Sequence, residues 1–374
     1  MQFWAFLLCI LAVLVIVWIL TRSPTTTTTE AAPTPEEQMP VDEQVATLST
    51  SQDEEQGIED VEPIRADRTM TPFNTLLLSE APQEVRNELL QGLKVARLQG
   101  LDLPDDFDCR EKWPGLITIP MEQGSCGSCW AFAAATAIAD RYRIAHPDDE
   151  ELTTLINYTP YGSRNIEYRI LNNFDPYELV NCDICGDTEE QFPDTTRYLS
   201  GVGIECGMGC EGGYIEHVYR FVQDHGVSTI LCNEPDCDPV NEDCPCVRKP
   251  DCKVYKPEDV YAVVSPTDNA SVRRRKVQED VMLYGPVTVG FMVYQSFFTF
   301  FENNPKGIYT RRDGGIAGDQ RLGGHAVDII GWSSEPVFHW LIRNSWSHLW
   351  SDEGYFRMQH DFGGVLDQVM AAQF

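Results

Sequence analysis

Thirteen of the 374 residues are cysteine, and that density constrains the chain more than any other feature. An ordinary cytosolic enzyme does not carry so many thiols. They imply disulfide staples formed in an oxidising compartment, or else metal sites. Nine of them fall between Cys182 and Cys252, in a loop-rich middle where bridges would hold poorly packed segments together. A zinc site among Cys232, Cys237, Cys244, Cys246 and Cys252 is the competing reading. An oxidising context argues against free thiolates there, so no metal and no cofactor is expected. The formal charge of −30 repels phosphate backbones and excludes nucleic acid as a partner.

The chain changes character along its length. Phe3 to Leu20 is an unbroken run of 18 apolar residues. As a helix it would reach ~27 Å, close to a bilayer's hydrocarbon core. No Lys or Arg precedes it and no small-x-small cleavage site follows, which favours an anchor in residues 1–22 over a cleaved signal. Residues 23–70 hold a threonine run followed by Pro33, Pro35 and Pro40, with twelve acidic residues and no aromatic. Such a stretch cannot bury enough apolar area to offset its ordering entropy, and reads as a disordered stalk. Residues 71–102 form a leucine-rich arm, with an amphipathic helix expected over Gln83 to Gln99. The folded body spans 103–374. Its alanine-rich stretch Cys129 to Ala145 reads as a helix. Short apolar runs at Val287–Tyr294, Ala326–Trp332, Phe338–Ile342 and Gly354–Met358 read as strands. Helices first and strands later predict an α+β body of two lobes.

Three local strings carry chemistry. In Gln123-Gly-Ser-Cys126-Gly-Ser-Cys129-Trp130-Ala-Phe132, Cys129 opens the expected helix. The partial positive charge of a helix N-terminus favours thiolate, a good nucleophile towards carbonyl carbon. Taken alone, the Cys126/Cys129 pair could equally be bridged or metal-bound. His325, in Gly323-Gly324-His325-Ala326-Val327, is a base suited to a thiol. Asn344, in Arg343-Asn344-Ser345-Trp346, could accept from one imidazole nitrogen and fix the ring. A lone histidine is usually a packing residue and a lone Asn before Ser usually a turn. Their joint occurrence in this order is what points to catalysis.

The order Cys, His, Asn within these strings resembles the papain-like cysteine peptidases, cathepsin B in particular, over about Leu103 to Ala371. Further matches are Leu103-Pro-Asp-Asp-Phe-Asp-Cys-Arg-Glu-Lys-Trp-Pro114, Gly209-Cys210-Glu-Gly-Gly213-Tyr214 and Gly285-Pro-Val-Thr-Val-Gly290. The resemblance implies a two-lobed fold, helical on one side and β-barrel-like on the other, with the active-site cleft between. It implies Cys129 as nucleophile, His325 as base and acid, Asn344 as its orienter shielded by Trp346, and Gln123 as oxyanion donor. It implies Gly212 and Gly213 as a backbone edge for an extended peptide, and a Cys126–Cys210 bridge. Leu366 falls at the floor of the pocket for the second residue before the cut, which implies an apolar preference. The arm at 71–102 stands in the propeptide position.

Departures bear on activity. His325 follows Cys129 by 196 positions, with surplus in 145–175 and 186–205. No histidine lies between His225 and His325, so the histidine pair behind cathepsin B's carboxydipeptidase action is missing and endopeptidase action is expected. Ser347 stands where the family has glycine. Asn157 and Asn269 sit in glycosylation sequons, usable if the body faces a lumen. Protein or peptide substrates follow from this reading, with a membrane-anchored body on the lumenal or extracellular side, or a secreted or lysosomal one. The rival is an inactive papain-fold binding or adhesion protein.

Overall fold

The computed structural model describes residues 73, 75–160, 167–182, 209–232, 248–310, 318–359 and 364–374. These belong to one compact unit, Glu62–Phe374. The expected anchor at Phe3–Leu20 and the stalk at 23–70 lie outside the described residues. No helix among the described residues is long and apolar enough to cross a membrane.

The arm, described from Phe73, forms a β-bridge at Thr75, makes a 3-10 turn at Leu78–Glu80, then helix α1 (Gln83–Leu90) and strand β1 (Lys94–Val95). The helix is shorter than Gln83–Gln99. Gln91 is extended and Gly92 takes φ +77°, which ends it. The following residues pair with a sheet edge instead, in parallel register, Lys94 opposite Tyr261 and Val95 opposite Ala262. Sheet pairing satisfies their backbone groups where two further turns of helix would have had little to pack on.

The body then runs through β2 (Asp106–Asp108), α2 (Cys109–Lys112), α3 (Cys129–Ala145), α4 (Glu150–Thr153), β3 (Leu155–Tyr158), β4 (Tyr168–Leu171), α5 (Pro176–Cys182) and α6 (Ile215–His225). It continues through β5 (Asp259–Ala262), α7 (Ala270–Tyr284), β6 (Val287–Tyr294), α8 (Gln295–Asn303), β7 (Ile308–Tyr309), β8 (Arg321–Ser333), β9 (His339–Arg343), β10 (Tyr355–Gln359) and β11 (Val369–Gln373). The helix at Cys129–Ala145 and the four late strands lie where the sequence places them. The last third is not purely strands, because α7 and α8 interrupt it. α7 hides in a charged string, Arg273 to Lys276, with Val277 and Val281 buried one turn apart. The cysteine-rich middle likewise contains α6.

The sheet order is β1-β5-β11-β6-β8-β9-β10-β7, with β2 on β8, and it does not close into a barrel. Its core includes Phe291, Phe297, Trp332, Trp340 and Phe356. A second cluster surrounds α3, which is buried on nearly every face from Cys129 to Ala139. A helix apolar all round belongs in the interior. α3 packs on α5 and α6 on one side and on β8 and β11 on the other, so its N-terminus meets the middle of β8.

Candidate active site

Cys129 is the first residue of α3 and fully buried, and its thiol is one of the two free thiols among the described residues. The other, Cys109, is buried under α2, and burial pushes its thiol well up. That makes it inert. Cys126 is bridged to Cys210, and Gly127 N–H donates to the Cys210 carbonyl at 3.0 Å. The bridge joins the loop entering α3 to the Gly209–Gly213 turn. A second bridge joins Cys232 to Cys252, while Cys237, Cys244 and Cys246 lie outside the described residues. Among those residues no cluster of metal-ligating side chains occurs.

His325 sits in β8, opposite Phe291 of β6, and is wholly buried. Its Nε2 lies 2.8 Å from Asn344 Oδ1. Because that amide oxygen can only accept, Nε2 carries the proton and Nδ1 is left for the thiol. Trp346 stacks on the imidazole with ring centroids 4.6 Å apart and planes 23° apart. It thereby closes off water from the His325–Asn344 bond. Burial alone would raise the Cys129 thiol. The charge of His325 and hydrogen bonds from His325, Thr75 and the Ala326 backbone outweigh it and bring the thiol down to about 7.

Gln123 is buried beside this pair. Its Oε1 accepts from Ser345 Oγ at 2.6 Å, and its Nε2 donates to the Cys126 carbonyl at 2.8 Å. Ser345 N–H in turn donates to Asn344 Oδ1 at 2.9 Å. One hydrogen-bonded chain therefore runs His325–Asn344–Ser345–Gln123 and fixes the two amide side chains together. Ser345 was not singled out from the sequence, although it follows Asn344 directly.

The arm fills the space in front of the thiol. Thr75 Oγ1 lies 3.0 Å from Cys129 Sγ. Phe73 packs its ring against Phe298, Trp346 and His325, with centroids 5.3, 5.5 and 6.0 Å away. Thr75 N–H donates to Gly324 O and Leu76 N–H to Gly213 O, both at 3.0 Å. The Thr75–Gly213 bridge is parallel. Two glycines make this approach possible. A Cβ on Gly324 would lie 2.1 Å from the Thr75 carbonyl oxygen, and one on Gly213 would lie 2.6 Å from the Trp130 ring. Gly212, with φ +129°, turns the backbone into that edge.

Leu366 packs in the sheet core, and its carbonyl accepts from Arg273. Gln368, two residues on, is the residue bonded to the arm, with its Oε1 accepting from Leu78 N–H at 3.2 Å. Both sequon asparagines, Asn157 and Asn269, are exposed.

Comparison with known proteins agrees with this geometry. A model of the papain family cysteine proteases matches residues 103–155 and 171–372. The chain belongs to the papain family of cysteine proteases. The stretch between the two matched segments, 156–170, carries most of strands β3 and β4, so part of the surplus length forms a defined two-stranded sheet. Among curated relatives of this family member, cathepsin B-like cysteine proteinase 3 of Caenorhabditis elegans is 30% identical over 69% of the chain and 62% of the relative's length. A cathepsin B-like cysteine proteinase of Schistosoma japonicum is 30% identical over 69% of each. The chain thus spans less than two thirds of the first of these. The fold is similar to procathepsin B S9 from Trypanosoma congolense, with a TM-score of 0.56 at 20% identity over 80% of this chain and 86% of that one.

Proposed function

We propose that this papain-family chain is a cathepsin B-like cysteine endopeptidase made as a zymogen. Catalysis would begin with attack of the Cys129 thiolate on a peptide carbonyl. His325 would then protonate the leaving amine and later activate the water that hydrolyses the acyl-enzyme. Asn344 would hold the imidazole in the needed tautomer, and Gln123 with the Cys129 N–H would meet the oxyanion. The observation that carries this reading is the lowered Cys129 thiol beside an imidazole whose other nitrogen is bound to Asn344. An inactive binding protein has no use for that combination. Endopeptidase action rests on the absence of histidine between positions 225 and 325.

The arm acts as the inhibitory segment. It presents a threonine hydroxyl to the sulfur, while the Thr75 carbonyl is turned onto Gly324, away from attack. Glu279 holds the junction with the body by accepting from the backbone N–H groups of Gln99, Gly100 and Leu101 at 2.5–3.1 Å. Membrane anchoring through Phe3–Leu20, or else secretion or lysosomal residence, completes the proposal. Hydrolysis of an internally quenched peptide, before and after limited proteolysis of the full chain, tests it. The account expects turnover to appear on removal of the arm and to vanish with Cys129→Ala. Peptide turnover that survives Cys129→Ala would refute it.

A further inference from the structure

The residue before Gln123 carries a carboxyl group that no step of the reaction uses. Glu122 pairs its backbone with Trp346 in an antiparallel bridge. Beside that bridge Gln123 N–H donates to Ser345 O at 3.0 Å and Ser347 N–H to Met121 O at 2.9 Å. Neighbouring side chains on an extended ladder point to opposite faces. Gln123 turns to Ser345 Oγ and the Cys126 carbonyl. Glu122 turns the other way and then along the chain, where its Oε1 accepts from Gly124 N–H at 2.9 Å. Residues 122 to 124 thus form a closed turn with Gln123 at its middle, and Gly124 takes φ +64° to complete it. An acidic side chain bonded to the backbone two residues on is the device of an Asx-turn, with one more methylene.

The cover over this turn comes from outside the family match. The stretch 156–170 supplies Ile156, Tyr158, Tyr168 and Ile170, which pack with Met121 and Phe132. The Tyr158 and Tyr168 rings lie 5.7 Å apart, and Tyr168 lies 4.8 Å from His348, two residues after Trp346. Burial holds the Tyr168 phenol up and the Glu122 charge adds to it, which puts that ring beside the carboxyl. A covered turn keeps water from competing for the Gly124 N–H.

We propose that Glu122 is a positioning residue for Gln123: its acceptor oxygen closes the 122–124 turn under the β3–β4 hairpin and so aims the Gln123 amide at the oxyanion. The role needs an acceptor and no charge. Burial lifts the Glu122 carboxyl to about 7, with the Gly124 N–H opposing. A protonated carboxyl still accepts through its carbonyl oxygen. An oxyanion donor acts on charge that appears only in the transition state, so a small error of aim costs rate rather than substrate affinity.

Glu122 has this role only if the peptidase reading holds, and the test separates the two. The full chain, activated by limited proteolysis, is compared with Glu122→Leu and Glu122→Gln, with every rate counted per titratable thiol. The readouts are kcat and KM for an internally quenched peptide, inhibition by a peptide aldehyde, and alkylation by iodoacetamide. The aldehyde adds the Cys129 thiol across its carbonyl and places an oxygen where the oxyanion forms. Alkylation displaces iodide and forms no oxyanion. Glu122→Leu is expected to lower kcat about tenfold with KM little changed, to weaken the aldehyde by a similar factor, and to leave alkylation within about twofold. Glu122→Gln keeps an acceptor and should recover most of the loss. In a Gln123→Ala background, Glu122→Leu should add less than about twofold. Wild-type kcat and aldehyde affinity in Glu122→Leu would overturn the inference alone. So would alkylation slowed in step with hydrolysis, no recovery in Glu122→Gln, or an undiminished loss in the Gln123→Ala background. A wild-type chain with no hydrolysis and no titratable thiol would overturn the peptidase reading and this inference with it.

Discussion

At the scale of single residues, the site depends on side chains that each serve two neighbours. His325 donates to Asn344 and lowers Cys129. Asn344 accepts from His325 and from Ser345. That Cys129, His325 and Asn344 come together was legible because their local strings resemble a family. The contacts of Thr75, Ser345 and Gln368 were not. Their parts depend on contacts between segments far apart in sequence, and no local pattern encodes them. Ser347 stands where the family has glycine, and it takes φ +66° while fully buried. A side chain in the left-handed region costs roughly 1 kcal/mol. The hydroxyl returns little, through a 3.3 Å contact from Leu349 N–H. Ser347→Gly is therefore expected to stabilise the chain by ~0.5–1 kcal/mol, seen as a Tm rise of about 1–3 °C. A fall in Tm would show that the hydroxyl matters more than the strain.

At the scale of elements, a buried ion-pair network sets the distance between helix and sheet. Asp140 of α3 meets Arg143 of the same helix at 2.5 Å and Arg343 of β9 at 2.6 Å. Arg343 continues to Asp328 of β8 at 2.8 Å, and Thr136 of α3 donates to the same Asp328 at 2.8 Å. Asp328 is three residues beyond His325, and Arg343 directly precedes Asn344. The network therefore holds α3, and Cys129 at its start, in register with both partners. Removing one member leaves buried charge uncompensated. Asp140→Ala should cost ~3–5 kcal/mol in urea unfolding. A cost below about 1 kcal/mol would mean the elements are positioned by apolar packing alone. The existence of α3 and the late strands was readable from alanine content and apolar runs. The second half of the expected arm helix was not, because β1 forms through pairing with an edge 167 positions away, Lys94 with Tyr261.

At the scale of the whole molecule, acidity and burial combine. The chain carries a charge of −30, and three carboxyls are held up by burial, Glu122 and Glu216 each to about 7 and Asp328 to about 6. In the unfolded chain they would titrate near ~4. Between those values the folded state binds more protons, so stability falls as pH rises. The contribution is complete below the unfolded value and lost through about pH 7. With the arm in place, Tm should be several degrees higher at about pH 5 than at about pH 8. A Tm that is flat or rises over that range would contradict the assignment.

The central claim is that Cys129 is held as a reactive thiolate by His325 and covered by the arm. The most direct measurement is mass spectrometry of the full chain treated with a thiol-directed epoxide, before and after limited proteolysis. The account predicts slow labelling while the arm is present. After its removal it predicts one adduct per chain, at Cys129, with peptide hydrolysis lost in step and with labelling greatly slowed by His325→Ala. Labelling elsewhere with Cys129 unmodified, or full hydrolysis after Cys129 is capped, would contradict it.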